Sequence, residues 1–585
     1  MRVIALAAVL FLLTVSAAWS SAGAVSGSLT RNAVYASKGP TGHTGSLGSN
    51  GPVSHVKTRW RATLAPLPAN ASTGSNQFVS LSSISCASRG NCTAVGSYLD
   101  NAGHQQGLLL TEKAGHWGVG VEAVLPANAG SDPQVVLASV SCASAGNCTA
   151  VGAYTGSGSI YTEDGGGGLL LTEKAGHWAP GVEAVLPASA GSHRYVTLHS
   201  VSCASAGNCT AVGRYGDSEW DYNGSRGLLL TEEAGLWKRG DARGGAGADV
   251  FSVSCSSDGS CSAVGYHNHY YYEGRNSSDE GGEALLLTKK GATWRRVEVN
   301  WPAEGPGGTA ELTSVSCTSA GNCSAAGLSH IGVDESEGPR GVLLTEIAGK
   351  WHRAVMAKPP KNAHSPGSYW DHYVGLVGIS CASPGNCAAM GGYYSGRRQL
   401  ALLTQQEGKW RRGVGAAVWR GHQTPAGAAI SCASPGNCTV VGGYVNAAAS
   451  WISYSGFLLT EIAGRLGAVV RPPHFPNALD SVSSVSCAAP GTCGAVGANW
   501  TSEGPEYGVL LDSTTDPCVV PRLKGNALPR ARHRIEARNC FVGTIEHIRS
   551  PTVARGHVIS QSLRPGRHLA PGTKVNLEVS SGGTG

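Results

Sequence analysis

Beyond its first eighteen residues the chain has no apolar run long enough to cross a bilayer. It has only three methionines and six phenylalanines in 585 residues, and 14% of it is charged. No sustained 3.6-residue apolar period occurs before the C-terminal region. Together these scarcities weigh against a helical protein. Low charge with 83 glycines fits a turn-rich all-β chain instead. No cysteine precedes Cys86, so no lipid-modified cysteine can follow an export signal. Gly-x-Ser-x-Gly, His-Glu-x-x-His and phosphate-binding loop motifs are also missing, which removes the common sequence signs of several hydrolase and nucleotide-binding classes.

What is present begins at the N-terminus. Arg2 precedes an apolar run from Val3 to about Ala18, and Ala22-Gly23-Ala24 is a small-x-small cleavage pattern. Residues 1–24 therefore read as a secretory signal peptide. The competing reading, an uncleaved anchor, needs a longer run than this one. A low-complexity linker over 25–55 follows. The expected mature protein is exported and soluble, either secreted or wall-associated, with no membrane span after cleavage.

All 18 cysteines fall into nine local pairs. Eight share a Cys-x5-Cys spacing: Cys86/Cys92, Cys142/Cys148, Cys203/Cys209, Cys255/Cys261, Cys317/Cys323, Cys381/Cys387, Cys432/Cys438 and Cys487/Cys493. The ninth is Cys518 with Cys540. An even count in an exported chain reads as disulfides. Zinc is the rival, but its sites favour tighter Cys-x2-4-Cys clusters with a second pair or paired histidines. No metal site and no cofactor are expected.

The first cysteines recur every 51 to 64 residues, a period expected of propeller blades or another repeating array. Each unit runs "SVSC", a turn such as "ASAGN", "CTAVG", a variable loop, "GLLLTE", a turn "KAG", and a tryptophan stretch. That is four short strands separated by turn residues. The cysteines should face each other across the first hairpin. The small residues of "CTAVG" suit the crowded centre, and "LLL" a strand covered on both faces. The repeating tryptophans (Trp117, Trp178, Trp237, Trp294, Trp351, Trp410, with Leu466 in the seventh unit) read as inter-blade packing. The eighth unit lacks its fourth strand, and "VKTRWRATLAPLPAN" from Val56 supplies a match. Residues 56–514 are thus expected to close into an eight-bladed β-propeller with no free sheet edge between its ends. A linear solenoid has no need of this permutation.

The pattern SVSC…C-A-V-G…LLLT-x-x-x-G-x-W resembles the repeat of the BNR, or Asp-box, propellers and of photosystem assembly factors, over Val56 to about Thr514. Unit four, "TKKGATW", comes nearest. In other units Glu112, Glu173, Glu232 and Glu346 stand where the family has aspartate. The resemblance implies architecture and no catalytic role. After Thr514 the composition changes. Val520-Pro521, a helix opened by Pro529 with Leu528, Ala531 and Ile535 on one stripe, Val558-Ile559-Ser560-Gln561, Pro565-Gly566, Pro571-Gly572-Thr573 and Val575-Asn576-Leu577 together resemble a PASTA domain over 516–585. The fold class is then all-β propeller followed by a small α+β PASTA-like domain. The resemblance implies an exported bacterial protein that binds peptidoglycan, or a spacer.

From Cys518 onward the chain has eleven Lys/Arg and three Asp/Glu, an excess of +8, while the whole chain is +6; everything before it is therefore −2. Arg530, Arg534 and Arg538 are spaced to share one helix face, which suits an anionic wall polymer or else an ordinary solvated surface. Nucleic acid is not expected of an exported chain without a nucleic-acid motif. The variable loops are the other place for binding. Trp220 and Tyr222 in one loop, and His267, His269 and Tyr270 in another, suit a carbohydrate or protein ligand, though loop filler would look the same. His267-x-His269 with Glu273 is a weak metal pattern. Loop carboxylates such as Asp217, Glu219, Asp221, Asp334, Glu335 and Glu337 cannot show the separation a glycosidase needs, and the sialidase Arg-Ile-Pro segment is absent. The expected function is a cell-wall-associated binding protein, with a secreted glycan hydrolase or lyase as the alternative. Asn-Cys-Thr at Asn91, Asn147, Asn208 and Asn437 matches a glycosylation sequon, but a turn residue beside the bridge accounts for the asparagine.

Overall fold

The structure is a computed structural model. It describes residues 58–583 apart from 74–76, 156–165, 192–194, 218–223, 258, 268–281, 302–309, 330–339, 364–373, 396–397, 417–422, 447–452, 474–480 and 502–503. Eight antiparallel sheets of four or five strands follow one another along the chain, and two small sheets with one helix complete it.

Blade 1 shows how a unit is built. Its strands are Ser80–Ser88, Asn91–Leu99, Gln105–Lys113 and the short His116–Trp117. Cys86 lies directly opposite Cys92 in the first hairpin, and the pair is bonded. The same holds for all eight Cys-x5-Cys pairs. Cys518–Cys540 is also bonded, and no cysteine is free. Leu108, Leu109 and Leu110 are fully buried, because the third strand meets a neighbouring blade on each face.

The bridges do more than clip the neck of a hairpin, which is where spacing alone put them. The second cysteine of each pair is buried and belongs to a cluster shared with the preceding blade. Cys148, Cys209, Cys387, Cys438 and Cys493 are only 2–6% exposed, and Cys92, Cys261 and Cys323 are placed alike. A hydroxyl of the preceding blade meets the sulfur, as Thr93 Oγ1 meets Cys148 Sγ and Thr149 Oγ1 meets Cys209 Sγ at 3.2 Å, and Thr439 Oγ1 meets Cys493 Sγ at 3.3 Å. Ser324 stands in that place against Cys387 at 3.4 Å. These cysteines are structural positions.

The innermost strand is not the one expected. First strands of successive blades pack on one another around the ring, including the last on the first. "SVSC" therefore lines the centre and "CTAVG" is the second strand, buried between blades. The serines explain this arrangement. In every one of the eight interfaces the serine before the cysteine accepts the backbone N–H of the next blade's cysteine, from Ser85 with Cys142 around to Ser486 with Cys86, at 2.9–3.0 Å. A second ring two residues earlier has six such bonds. It is interrupted where Gly378 and Ala429 carry no hydroxyl. Buried backbone donors need such partners, and here the partner always comes from the neighbouring blade.

The glycine of "AVG" follows from the same strand. A β-bulge in the first strand brings backbone close, and a Cβ on Gly96 would lie 1.9 Å from the Ser80 carbonyl oxygen. The first and third turns of a blade touch. Gly115 N–H donates to Gly90 O at 2.8 Å, and Gly90 combines a φ of +70° with a site where a Cβ would sit 2.8 Å from Gly115 N. Asn91 Oδ1 latches the same turns by accepting Ala114 N–H. Five other blades repeat this asparagine latch.

Closure is by the N-terminal strand. Thr58–Leu64 pairs antiparallel with Gly504–Thr515, with Trp60 opposite Ser513. Each of the eight main apolar clusters straddles two neighbouring blades and includes the tryptophan, or Leu466, of one of them. The tryptophans thus pack between blades.

The C-terminal module has its own core of Val520, Leu523, Ala531, Ile535, Val558, Val575 and Leu577 around Cys518–Cys540. Its helix α1 (Leu528–Glu536) buries Ala531 and Ile535. Its strands Phe541–Ile548, Lys574–Ser580 and Val558–Gln561 form one sheet.

Candidate functional site

The chain leaves the propeller at the face of the disulfide turns, where Thr515 Oγ1 donates to Gly491 O at 3.1 Å. The C-terminal module rests on the same face. Phe541 is buried against Ile462 and Ala463 in the third turn of blade 7, and the Arg465 guanidinium lies 4.5 Å over its ring. The second turns and inter-blade connections open at the other end of the strands, so module and variable loops face opposite ways.

Of the loop residues singled out from sequence, Trp220, Tyr222, His269 and Tyr270, with Glu273, lie outside the described residues. His267 ends the strand Cys261–His267 and is 2% exposed. Its Nε2 is 3.2 Å from Glu283 Oε2, which also meets Arg296 at 3.5 Å. It fastens a strand end and does not offer its ring at the surface. Among the described residues no three His, Cys, Asp or Glu side chains gather as metal ligands would.

The loop end of the propeller is floored by polar nodes that sequence reading missed. Tyr98 Oη donates to Glu122 Oε2 at 2.6 Å and contacts Asn70 Oδ1 at 3.1 Å. Tyr154 Oη donates to Asn128 Oδ1 at 2.9 Å, and Asn128 Nδ2 donates to Glu183 at 2.8 Å. Burial, then Glu183, pushes the Tyr154 phenol up to about 12. A tyrosine two residues after "AVG" and the recurring "LPAN" were the available signal. Between blades 3 and 4, buried Asp249 meets His199 Nε2 at 3.0 Å and Arg214 Nε at 3.6 Å. Burial opposes its ionisation, but His199 and Arg214 win and hold the carboxyl below its ordinary range. Tyr98 and Tyr154 and their amide and carboxyl partners satisfy one another, which marks them as structural.

A second missed feature is a ring of side chains at the position after "LLLT": Glu112, Glu173, Glu232, Lys289, Glu346, Gln405, Glu461 and Ser513, all buried between blades. The threonine of the preceding blade faces it, as Thr111 Oγ1 faces Glu173 at 3.3 Å and Thr172 Oγ1 faces Glu232 at 3.1 Å. Burial raises the carboxyls of Glu173, Glu232 and Glu346, and pushes Glu461 up to about 7. At the closing interface Asp512 stands in the threonine place opposite Glu112. Burial, then the Asp512 charge, pushes Glu112 up to about 7. The Asp-box-like glutamates are thus inter-blade groups, and none of them lies at the loop end of the propeller.

On the C-terminal module Arg530, Arg534 and Arg538 are exposed. Arg530 and Arg534 lie one turn apart on α1. The helix ends at Glu536, however, and the Arg538 carbonyl accepts Val519 N–H at 3.1 Å. Arg538 therefore sits past the helix and does not share the face expected of it. Asn539, at φ 57°, turns the chain toward the bridged Cys540.

The fold and these surfaces define a disulfide-pinned eight-bladed propeller carrying a small basic α+β module. The family model described as PASTA domain matches residues 519–581, so the module is a PASTA domain. No curated protein matches the chain. Among solved structures, the β-propeller domain of the Trilobed protease from Pyrococcus furiosus is similar at 9% identity, covering 69% of this chain and 98% of that one with a TM-score of 0.37. A subtype N11 neuraminidase-like protein of A/flat-faced bat/Peru/033/2010 is similar at 11% identity, covering 71% and 96%, TM-score 0.32. The fucose-specific lectin from Aleuria aurantia is similar at 11% identity, covering 59% and 99%, TM-score 0.29. Such scores carry no argument about ligand or activity; the fold stands on the strand pairing. Among the described residues no helix is long and apolar enough to cross a membrane.

Proposed function

We propose that this is an exported bacterial binding protein of the cell wall. Its PASTA domain holds peptidoglycan or an anionic wall polymer, and its propeller presents variable loops to a carbohydrate or protein ligand. The observation that carries this reading is a matched PASTA domain whose excess positive charge includes exposed Arg530, Arg534 and Arg538. The nine disulfides support an oxidising, extracellular setting. The opposed placement of module and loops supports the division of labour, because a wall-bound module leaves the loop end free. Among the described residues the facing carboxyl pair Glu112 with Asp512 is buried inside a blade interface, so it does not support the hydrolase alternative.

Co-sedimentation of the full chain with purified peptidoglycan tests the proposal. The full chain should sediment, and replacing all three arginines by glutamine should release it while the melting temperature stays unchanged. Raising salt from 0.1 M to 1 M should weaken binding, as the Debye length falls from about 10 Å to about 3 Å. Equal sedimentation of the triple variant would leave the PASTA arginines without the role given them.

A further inference from the structure

Blade 4 breaks the repeat on the face of the disulfide turns, diametrically across the ring from the closing interface. In the buried position after "LLLT", five blades carry glutamate, one glutamine and one serine; blade 4 alone carries a base, Lys289. Its turn latch is also lost. Ser260 replaces the asparagine, and the third turn runs Lys290-Gly291-Ala292, so no Gly–Gly bond of the kind joining Gly90 and Gly115 forms there. Blade 8 lacks the latch too, but there Thr515 fills the space against Gly491. Among the described residues of blade 4 nothing fills it. A cavity of ≈ 370 Å³ opens between blades 4 and 5, lined by Ser260, Ser262, Lys289 and Lys290 on one side and by Ser319 and Glu346 on the other.

Lys289 is 9% exposed. Its ammonium has no hydrogen-bond or ion-pair partner among the described residues; Glu233, on the exposed third turn of blade 3, is the nearby opposite charge. The stem of Lys289 is buried, and its ammonium is left to meet solvent or a ligand. Here it borders a space within the roughly 300–1,000 Å³ range of ligand pockets. Two ammonium groups and one carboxyl line the cavity, with Glu233 outside its lining, so a singly charged anion suits it better than a dianion. A phosphate dianion would place its second charge against Glu346. Glu346 and the serine hydroxyls are hydrogen-bonding groups suited to a ligand rich in hydroxyls.

We propose that the cleft between blades 4 and 5 binds a small carboxylate-bearing polyol, an acidic sugar residue. Lys289 and Lys290 hold its carboxylate, and Glu346 with Ser260, Ser262 and Ser319 meets its hydroxyls. The site lies at the opposite end of the strands from the variable loops and does not depend on the PASTA domain's binding to the wall.

Calorimetric titration of the full chain with D-glucuronic acid, N-acetylmuramic acid, D-glucose and inorganic phosphate tests it. The first two probes separate a ring carboxylate from one on an ether side arm. At least one should bind, with glucose and phosphate weaker by about tenfold or more. Lys289→Glu installs the residue used by five other blades, so the fold should tolerate it, and Lys289→Met keeps the apolar stem should it not. Either variant should cost about tenfold or more in affinity at an unchanged melting temperature. Absence of binding by both acidic sugars, phosphate binding as tightly as they do, or full affinity in a folded Lys289 variant would each overturn the proposal.

Discussion

Seven of the eight blade interfaces join stretches of chain that are neighbours in sequence, whereas the eighth joins the two ends of the propeller. The ordinary interfaces and the closing one use the same parts: the serine-to-backbone bonds, a straddling apolar cluster and a tryptophan. In the closing interface the serine bonds span 400 residues, from Ser484 and Ser486 to Ile84 and Cys86. Its partners gain nothing from local chain order, so it carries the loop-closure entropy of the whole ring. It also differs in one group. Where other interfaces set a threonine hydroxyl against the buried residue of the next blade, this one sets Asp512 against Glu112. Among these ring positions the closing interface is therefore the one that sets two carboxyls against each other.

The largest effect should come from removing the closing strand. Deleting residues 58–64 strips Trp60 and Ala62 from the cluster between blades 7 and 8 and exposes the edge of Gly504–Thr515. Loss of a packed tryptophan alone costs about 3–5 kcal/mol, and the ladder with Gly504–Thr515 is lost as well. The melting temperature should fall by roughly 10 °C or more. A deletion variant that melts normally would mean that the ring does not depend on its seam.

A smaller and pH-dependent effect should separate the closing interface from the one between blades 1 and 2, where Glu173 faces Thr111. Glu112 has its carboxyl raised to about 7 by burial and by Asp512. Asp512 is itself raised by burial, with the Trp117 indole and the Arg61 guanidinium pulling partly back. A raised carboxyl binds its proton more tightly in the folded chain. Its stabilising effect is complete below the ordinary glutamate range and is lost as pH rises through about 7. The propeller should thus melt higher at mildly acid pH than in weak base. Glu112→Gln should remove much of that difference and stabilise the protein by roughly 2 kcal/mol at high pH. Asp512→Thr, which makes the seam an ordinary interface, should act in the same direction. Glu173→Gln, facing Thr111, should do less. Melting curves across the pH range read all three, and an equal response of Glu112 and Glu173 variants would erase the distinction.

Much of this architecture was legible in the sequence because the repeat states it eight times. The Cys-x5-Cys spacing gave the register of the first hairpin, the triple leucine gave a strand covered on both faces, and Trp60 with no cysteine pair before it gave the permuted closure. What escaped was lateral. The serines of "SVSC" find their partners one blade away, 50 to 65 residues along the chain, so no local pattern shows what they bind, and "CTAVG" was assigned the centre in their place. The second cysteines were read as half of a hairpin clip because their contacts with the preceding blade are just as distant in sequence. The glutamates after "LLLT" looked like Asp-box substitutes for the same reason. Arg538 was counted onto a helix that ends two residues earlier, because spacing alone does not show where Asn539 turns the chain. Lys289 was visible as a departure from the repeat, but only the burial of its seven counterparts makes the departure chemical.

The smallest predicted effect tests the serine rings as an additive device. At Ala429 the second ring lacks the hydroxyl that would accept the Val485 N–H; at Gly378 it lacks the one for Ile430. The two gaps are not equally open to repair. A Cβ at Gly378 would meet Met390 Cε at 3.2 Å and Ile430 Cγ2 at 3.3 Å, so a side chain there must displace its neighbours. Ala429 already carries a Cβ and stands in the position that Ser83 holds in blade 1, opposite a valine of the second strand in both cases. Ala429→Ser should therefore complete one more bond and raise stability by about 0.5–1.5 kcal/mol, the net worth of a typical hydrogen bond. Ser486→Ala, which leaves the Cys86 N–H without its acceptor at the seam, should cost about 1–3 kcal/mol, since an abandoned donor pays its full desolvation. The asymmetry is the informative result. If Ala429→Ser is neutral while Ser486→Ala destabilises, the rings act as satisfaction of buried backbone rather than as added attraction. If both are neutral in chemical denaturation, the blades are held by their apolar clusters alone, and the recurrence of serine before cysteine needs another cause.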